Sequence, residues 1–377
     1  MSALPGIWKR AVGLSFIVLL AGGIIGSGRV QTAAIGSRDL MIGVKIYERA
    51  GDFPELFREW RSLGINTAFV SAALASNREF RRLARTNDIG MFIILPTFFN
   101  PEALKDKPDL AAITSEGKSA REEWVEFVCP SREDYRTRHI EYVKGLVRDC
   151  DPDGISLDFI RTFVFWEKVY PDRDPATLPQ TCFCPACLDR FQKETGIRMP
   201  VGVSGAADQA RWILNEHLRE WTAWKCGTIA SMVEALAGEA RRIKPGIKVN
   251  VHAVPWRRED FGGAIRTVAA QDLVRIGRSV DYVSPMCYHH MVLRPPDWIH
   301  AVVEDVAGAV QAPIIPSIQV DEAYIDKALL PAEFEAALVE ALKPPSCGVV
   351  FWNWDALAGS ADKRAVVKRV CAGRRPI

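Results

Sequence analysis

Short apolar segments alternate with longer segments of helical periodicity along most of the chain. From Met41 onward, runs of six to eight largely β-branched and apolar residues end in polar or aromatic residues, as buried parallel strands do. Between these runs, apolar residues recur at the spacing of one helix face. We therefore predict eight strands, over residues 41–48, 66–71, 90–97, 154–161, 248–255, 282–289, 313–320 and 348–355.

The segments between the strands predict helices over residues 53–63, 77–86, 133–149, 214–243, 271–277, 298–310 and 331–342. Eight strands with helical crossovers predict an α/β fold, specifically a (β/α)8 TIM barrel. The alternative is two or more separate domains, but no Ser/Gly-rich linker or shift in composition follows residue 40. The gaps after the third and fourth strands exceed ordinary loop lengths, so we expect two long excursions on the C-terminal face of the barrel.

The first residues have the order of an export signal. Lys9 and Arg10 precede an apolar run over residues 11–25, and small and polar residues follow. We predict that residues 1–37 are a signal peptide or an N-terminal membrane anchor, and that residues 38–377 form an extracytoplasmic barrel, periplasmic or secreted. The run is shorter than the roughly 20 residues of a membrane span, although Gly26 to Gly28 could extend it.

Composition excludes several classes of protein. The 377 residues are 48% hydrophobic and 25% charged, which is typical of a folded chain and not of a disordered one. The 48 basic and 46 acidic residues leave a net charge of +2, so no electrostatic argument supports a nucleic-acid partner. The chain has no Gly-rich phosphate loop, G-x-S-x-G elbow or H-E-x-x-H motif.

Polar and aromatic side chains follow most of the predicted strands, where a barrel would gather them around one cavity. Aromatic rings stack on the apolar faces of sugars, while amides and carboxylates bind sugar hydroxyls. These positions therefore predict a carbohydrate substrate. The candidate substrate-binding residues are Tyr47, Arg161, His252, Trp256, Tyr288, His289, Gln319, Trp352, Asn353 and Trp354.

Asp158 is the sharpest catalytic candidate. It ends an otherwise apolar strand, where an uncompensated charge would be costly, and Arg161 is close enough in sequence to be its ion partner. Glycoside hydrolysis needs a second carboxylate on the other side of the scissile bond. The sequence leaves that residue open among Glu259, Asp260 and Asp355, with Glu48 after the first strand also considered, and each could instead form a salt bridge at the barrel rim.

Four of the nine cysteines form a candidate cluster in the two predicted excursions. Cys182, Cys184 and Cys187 form a C-x-C-x-x-C motif after the fourth strand, and Cys129 follows the third strand. Four thiolates suit a structural Zn²⁺ ion, whereas one or two disulfides are the alternative in an oxidising compartment. Either arrangement would join the two excursions, and no cofactor is expected for catalysis.

Residues 153–161, DGISLDFIR, resemble the D-G-I-x-L-D-[FY]-x-R signature of uncharacterised glycosyl-hydrolase-like TIM-barrel proteins. Residues 281–288 and 348–354 resemble a later strand and the closing strand of that family, and the cysteine cluster is similar to the zinc cluster of glycoside hydrolase family 42. The resemblance implies an active-site role for Asp158 and a cavity position for Tyr288. Family 42 carries catalytic glutamates on strands four and seven, and here those strands end in Asp158 and in Gln319 and Val320, so that pair does not carry over.

We therefore hypothesise that the protein is an exported glycoside hydrolase that acts on a poly- or oligosaccharide by carboxylate acid/base catalysis. Asp158 would be the nucleophile or base, and one of the three later carboxylates would be the acid. Two alternatives stay open. One is a catalytically inactive barrel that binds glycan through Trp256, Trp352 and Trp354, and the other is a metal-dependent hydrolase or deacetylase using His252, His289 and His290.

Overall fold

The computed structural model describes residues 40–49 and 51–372, and the predicted signal or anchor segment lies outside these ranges. Eight parallel strands form one sheet: β1 (Met41–Ile46), β2 (Thr67–Val70), β3 (Gly90–Pro96), β6 (Gly154–Asp158), β7 (Lys248–Ala253), β8 (Tyr282–Pro285), β9 (Ser317–Gln319) and β10 (Gly348–Trp352). Their order in the sheet is β8-β7-β6-β3-β2-β1-β10-β9. The short strands β4 (Arg121–Glu122) and β5 (Val125–Glu126) form a separate antiparallel hairpin.

The eight-stranded sheet curls into a nearly closed barrel, which confirms the predicted (β/α)8 fold. Parallel bridges from Val283 to Ile314 and from Met286 to Ser317 join the two ends of the sheet, β8 and β9. The seventh barrel strand, β9, is shorter than predicted because Pro313 and Pro316 have no N–H to donate to a neighbouring strand.

Helices connect the barrel strands largely where the sequence predicts them. The predicted helix over residues 214–243 is two helices that meet at His217, and the sequence analysis missed Pro185–Thr195 and the last helix, Ala361–Ala372. The α-helices are α1 (Phe53–Ser62), α2 (Ala72–Ser76), α3 (Arg78–Thr86), α4 (Pro101–Asp106), α5 (Glu133–Cys150), α6 (Pro185–Thr195), α7 (Ala206–Glu216), α8 (Leu218–Ile243), α9 (Ala264–Thr267), α10 (Leu273–Ile276), α11 (Asp297–Ala307), α12 (Pro331–Ala341), α13 (Trp354–Ala358) and α14 (Ala361–Ala372). Short 3₁₀ helices cover Pro108–Leu110, Trp166–Lys168, Pro175–Thr177 and Asp260–Gly262.

Two apolar layers hold the barrel together. The larger lies between the strands and the surrounding helices, while the smaller fills the barrel interior with side chains that include Phe69, Phe92 and Ile94. Phe69 and Phe92 pack with ring centroids 5.1 Å apart. The interior is therefore closed by side chains below its mouth, as is usual for this fold.

Two residues of the D-G-I motif, Asp153 and Gly154, have structural roles at the start of β6. Asp153 accepts a hydrogen bond from the Met91 backbone N–H at 2.8 Å, which ties β6 to β3. At Gly154 an added Cβ would lie 2.2 Å from Cε1 of Phe92, so no larger residue fits beside that ring. These two residues set the position of the strand that ends in Asp158.

The two predicted excursions lie on the C-terminal face. Residues 97–132 contain α4 and the β4–β5 hairpin, while residues 159–217 contain two of the 3₁₀ helices together with α6 and α7. Within the described ranges, no helix combines the length and the apolar character needed to cross a bilayer.

Candidate active site

A small buried cavity lies at the C-terminal ends of the strands, covered by residues of both excursions. Its volume is about 40 Å³, which holds a few water molecules. Two carboxylates, one lysine, one arginine and several aromatic rings surround it. The lining residues are Lys45, Tyr47, Trp124, Asp158, Phe159, Arg161, Trp166, Glu167, Met286, Tyr288, Met291, Tyr324 and Trp352.

Asp158 is the last residue of β6, and its side chain is buried at the cavity wall. Its Oδ1 accepts a hydrogen bond from the Phe159 backbone N–H at 2.8 Å. Phe159 has a left-handed backbone with φ of 48°, a conformation that bulky residues rarely adopt and that is often found at functional sites. The abrupt turn at Phe159 ends the strand and helps to hold the Asp158 carboxylate at the cavity.

Glu167 is the second carboxylate in the cavity, and the sequence analysis missed it. It lies in the 3₁₀ helix Trp166–Lys168 and is buried, and its Oε2 has no hydrogen-bond partner among the described residues. Burial raises the pKa of Glu167 to about 7, with Asp158 adding to the rise and the Arg161 guanidinium opposing it. A carboxyl group with this pKa is protonated in part of the population near neutral pH, as a general acid must be.

Lys45 and Tyr288 form the floor of the cavity. The Lys45 Nζ donates a hydrogen bond to the Tyr288 hydroxyl at 3.1 Å, and that hydroxyl lies 3.3 Å from Ser317 Oγ. Burial lowers the pKa of Lys45 to about 8, and the attraction of Asp158 opposes that shift. Below that pH, Lys45 therefore contributes a positive charge to the cavity that Asp158 also lines.

Aromatic rings complete the cavity wall. Trp352 stacks on Tyr288 with ring centroids 4.6 Å apart and planes 20° apart. Tyr47 lies beside them, and burial together with the Asp158 charge raises the pKa of Tyr47, so this phenol stays protonated. Tyr47, Tyr288 and Trp352 are thus three predicted binding residues that the fold brings to one cavity.

Arg161 also lines the cavity, but its guanidinium does not form an ion pair with Asp158 among the described contacts. It donates to the carbonyl oxygen of Val164 at 2.7 Å and lies over the Phe127 ring, 4.8 Å from the ring centroid. The expected ion pair is therefore absent from this part of the chain. Arg161 holds the backbone of the excursion that carries Glu167.

The three later carboxylates predicted as partners of Asp158 do not line this cavity. Glu259 is exposed. Asp260 forms an ion pair with Arg257 at 2.8 Å and accepts a hydrogen bond from that residue's backbone N–H. Asp355 lies in the first turn of α13, and burial raises its pKa.

Five further predicted binding residues also lie elsewhere. His252 is inside the barrel, 2.9 Å from Ser156 Oγ, and burial lowers its pKa to about 3. Gln319 bridges the backbone between β9 and the loop after β8 by accepting from the Met291 N–H at 2.8 Å. The remaining three are Asn353, which caps α13, Trp354, which packs on Trp60, and Trp256, which lines a separate surface pocket.

His289 lies outside the cavity as well. It is buried with its Nε2 3.3 Å from Glu333 Oε1, and the same carboxylate is 2.7 Å from His290 Nδ1. His252 is on a different strand, in the barrel interior. Among the described residues these histidines belong to no group of three or more potential metal ligands, so the geometry does not favour the deacetylase alternative.

The four predicted cysteine ligands do come together. The sulfurs of Cys129, Cys182, Cys184 and Cys187 are buried and all lie within 4.8 Å of one another. The Cys129 sulfur is 3.3 Å from those of Cys184 and Cys187, and no described cysteine forms a disulfide. Sulfurs at the corners of a tetrahedron around Zn²⁺ would be about 3.8 Å apart, given Zn–S bonds of about 2.3 Å. The donor set and its spacing therefore fit a zinc ion.

Comparisons with known proteins establish the fold. No family model matches the sequence, and no curated protein matches it. Among solved structures, β-galactosidase from the psychrophilic Marinomonas ef1 is similar with a TM-score of 0.66 and 12% identity, over 88% of this chain and 59% of that chain. The glycoside hydrolase domain of PgaB (BpsB) from Bordetella bronchiseptica gives a TM-score of 0.63 and 14% identity, over 88% of this chain and 98% of that domain.

A catalytic mutant of Gan42B, a GH42 β-galactosidase from G. stearothermophilus, gives a TM-score of 0.61 and 12% identity, over 90% of this chain and 57% of that chain. The chain spans less than two thirds of these β-galactosidases and nearly the whole of the PgaB domain. The neighbours are TIM-barrel glycoside hydrolases, and the fold of this chain is glycosyl-hydrolase-like.

Proposed function

We propose that this protein is a glycoside hydrolase that cleaves a poly- or oligosaccharide with Asp158 and Glu167. The observation that carries the proposal is a buried cavity at the mouth of a glycosidase-like barrel, lined by two carboxylates of different environment. Glycosidases separate their two carboxyl groups into a protonated acid and an ionised nucleophile or base in this way. Export is part of the proposal and rests on the sequence of residues 1–37.

Glu167 is the general acid in this scheme. Its carboxyl proton passes to the glycosidic oxygen as the bond from that oxygen to the anomeric carbon breaks, and the leaving sugar departs as an alcohol. Burial keeps the proton on Glu167 near neutral pH, since the ionised form would lose its hydration. This assignment replaces Glu259, Asp260 and Asp355, none of which lines the cavity.

Asp158 acts on the opposite side of the sugar. As an ionised carboxylate it either attacks the anomeric carbon, forming a glycosyl ester, or removes a proton from the attacking water. Lys45 supplies the nearby positive charge, and Tyr47, Tyr288 and Trp352 provide hydroxyl and ring surfaces that suit a sugar. The anomer of the first product distinguishes retention from inversion.

The cysteine cluster has a structural role in the proposal. Cys129, Cys182, Cys184 and Cys187 would hold one Zn²⁺ and so join the excursion that carries Trp124 to the one that carries Glu167. The ion would take no part in bond cleavage.

The test is a digest of a glycan panel with the purified full-length protein. The panel contains β-1,4-galactan, β-glucan, chitin, chitosan and alginate, together with 4-nitrophenyl glycosides, and new reducing ends are measured. The proposal predicts release from at least one glycan. Binding to a glycan without release would instead support the inactive glycan-binding barrel, and neither binding nor release would contradict both functions.

A further inference from the structure

A second, larger cavity lies at the barrel mouth beside the catalytic cavity, which is the small cavity that Asp158 and Glu167 line. Its volume is about 450 Å³, within the range of small-ligand sites, whereas the catalytic cavity holds about 40 Å³. It lies between the ends of β1 to β3 and the helices α2, α4 and α5. No residue in the proposed reaction besides Tyr47 takes part in its lining.

The two cavities share a wall. Tyr47 lines both, and Phe99 in the larger cavity stacks on Phe159 in the catalytic cavity with ring centroids 4.7 Å apart. The two cavities are therefore neighbours, with the Tyr47 ring between them.

A row of rings on α5 faces this larger cavity. Tyr135, His139 and Tyr142 are spaced four and three residues apart, so they lie on one side of the helix. The Tyr135 and His139 rings are stacked, with centroids 5.8 Å apart and planes 16° apart, and Tyr142 is 6.1 Å from His139. Tyr135 and His139 are buried against each other, whereas Tyr142 is half exposed, so the Tyr142 ring is the one that offers a flat apolar surface to a sugar.

The row also contains a buried polar atom, the His139 Nε2, that no described residue binds. His139 is 7% exposed. Burial lowers the pKa of His139 to about 4, so the imidazole is neutral and its ring nitrogens suit a hydroxyl. Carboxylates and amides at the rim offer further hydroxyl partners: Glu48, Asn100, Glu102 and Asp106.

We infer that the larger cavity binds further sugar residues of the same glycan chain that is cleaved at Asp158 and Glu167. The inference rests on the proposed function and deepens it, because it makes the substrate a polymer held across Tyr47. It assigns the Tyr142 ring and the His139 imidazole as binding groups, apart from the reacting groups, with Tyr135 packed against His139.

The test compares oligomers of two to six residues, prepared from whichever panel glycan the wild-type protein cleaves. We expect kcat/KM to rise at least tenfold from the dimer to the hexamer in the wild-type protein, as binding sites beyond the catalytic cavity become filled. Tyr142 is 50% exposed, so Tyr142→Ala should fold normally. This variant should lower the hexamer-to-dimer ratio about tenfold, as loss of an aromatic binding contact does.

Arg148→Ala, on an exposed position of the same helix, is the matched control and should keep the wild-type ratio. Ala103→Trp fills the cavity from α4 and should lower the ratio as Tyr142→Ala does. A wild-type protein that cleaves glycan with no length preference, or a ratio unaffected by both variants, would overturn the inference and leave the proposed function standing. A wild-type protein that cleaves no panel glycan would instead overturn the proposed function on which the inference depends.

Discussion

Glu167 is the residue whose ionisation should govern the alkaline limb of the pH–rate profile, the fall in kcat/KM at high pH. Burial raises its pKa to about 7, so the protonated acid is lost as the pH rises through that value. We expect kcat/KM to fall above about pH 7 in the wild-type protein. Glu167→Gln should lower kcat by a factor of about 10² to 10⁴ on a glycan with a poor leaving group, and should remove this limb.

The control for Glu167 is Glu333→Gln. Glu333 is also partly buried, but it pairs with His290 and does not line the catalytic cavity. Its variant should retain the limb near pH 7. Retention of that limb in Glu167→Gln would mean that another group is the acid.

Lys45 should contribute to the rate through its charge and its hydrogen bond. Its ammonium lies at the floor of the cavity and is attracted to Asp158. Lys45→Met removes that charge and the hydrogen bond to the Tyr288 hydroxyl, so kcat/KM should fall roughly tenfold or more, as loss of one hydrogen bond to a charged group does. Steady-state kinetics of the variant measure this loss.

Lys225→Met is a matched control for Lys45→Met. Lys225 is buried too, and burial lowers its pKa to about 8, but it bonds to Gln180 and Thr267 away from the cavity. If both lysine variants lowered kcat/KM equally, the loss would reflect general destabilisation and not the charge beside Asp158.

At the scale of elements, the two excursions depend on the cysteine cluster that joins them. Cys184→Ser removes one of four ligands, so we expect the zinc content to fall from one ion per chain and the Tm to fall by roughly 10 °C. Metal analysis and thermal melting measure the two effects. Cys150→Ser, at a buried cysteine on α5 outside the cluster, should keep the zinc.

The zinc assignment would be contradicted if the protein purified without metal and mass spectrometry showed that the cluster thiols had formed disulfides. The two excursions would then be joined by covalent bonds. The position of Glu167 would still depend on the same four residues.

A contact between two of the loops closes the catalytic cavity. The Trp124 Nε1–H, at the turn of the β4–β5 hairpin, donates to the Tyr324 hydroxyl at 3.1 Å, and both residues line the cavity. A space of about 40 Å³ is too small for a sugar ring, so for the proposed reaction we expect this contact to open when a glycan binds. Tyr324→Phe removes the hydrogen bond and should lower the KM about fivefold, since a bond of about 1 kcal/mol no longer favours the closed form.

Steady-state kinetics on the cleaved glycan measure this effect, and Tyr170→Phe, at a tyrosine that does not line the cavity, is the control. An unchanged or higher KM in Tyr324→Phe would show that closure by this contact does not limit binding.

At the scale of the whole molecule, the barrel could be predicted from the sequence because each strand is an apolar run between helical segments. The eight strands lie within a few residues of their predicted positions, and Asp158 is the last residue of β6, whereas the predicted strand continued to residue 161. The cysteine cluster was also predictable, since C-x-C-x-x-C spacing is local and a TIM barrel brings neighbouring excursions together.

Glu167 could not be predicted in the same way. It lies in a 3₁₀ helix inside an irregular excursion, where no period relates sequence to burial, and its burial comes from packing of distant residues. The position of Trp354 at the end of a strand also led to a wrong prediction. Trp354 begins a helix and packs on Trp60 in the outer core, with ring centroids 5.7 Å apart. A hydrophobic pattern identifies a strand end without telling which way the following residues turn.

The proposed catalytic pair is tested most directly by measuring the release of reducing ends from the cleaved glycan by Asp158→Asn and Glu167→Gln, compared with Glu259→Gln. Thermal melting checks that each variant is folded. We expect the first two variants to lose at least about 99% of the wild-type rate, which is the effect of removing an acid or a base, and Glu259→Gln to keep the wild-type rate. Wild-type rates in Asp158→Asn or Glu167→Gln, or a comparable loss in Glu259→Gln, would contradict the assignment of the catalytic pair.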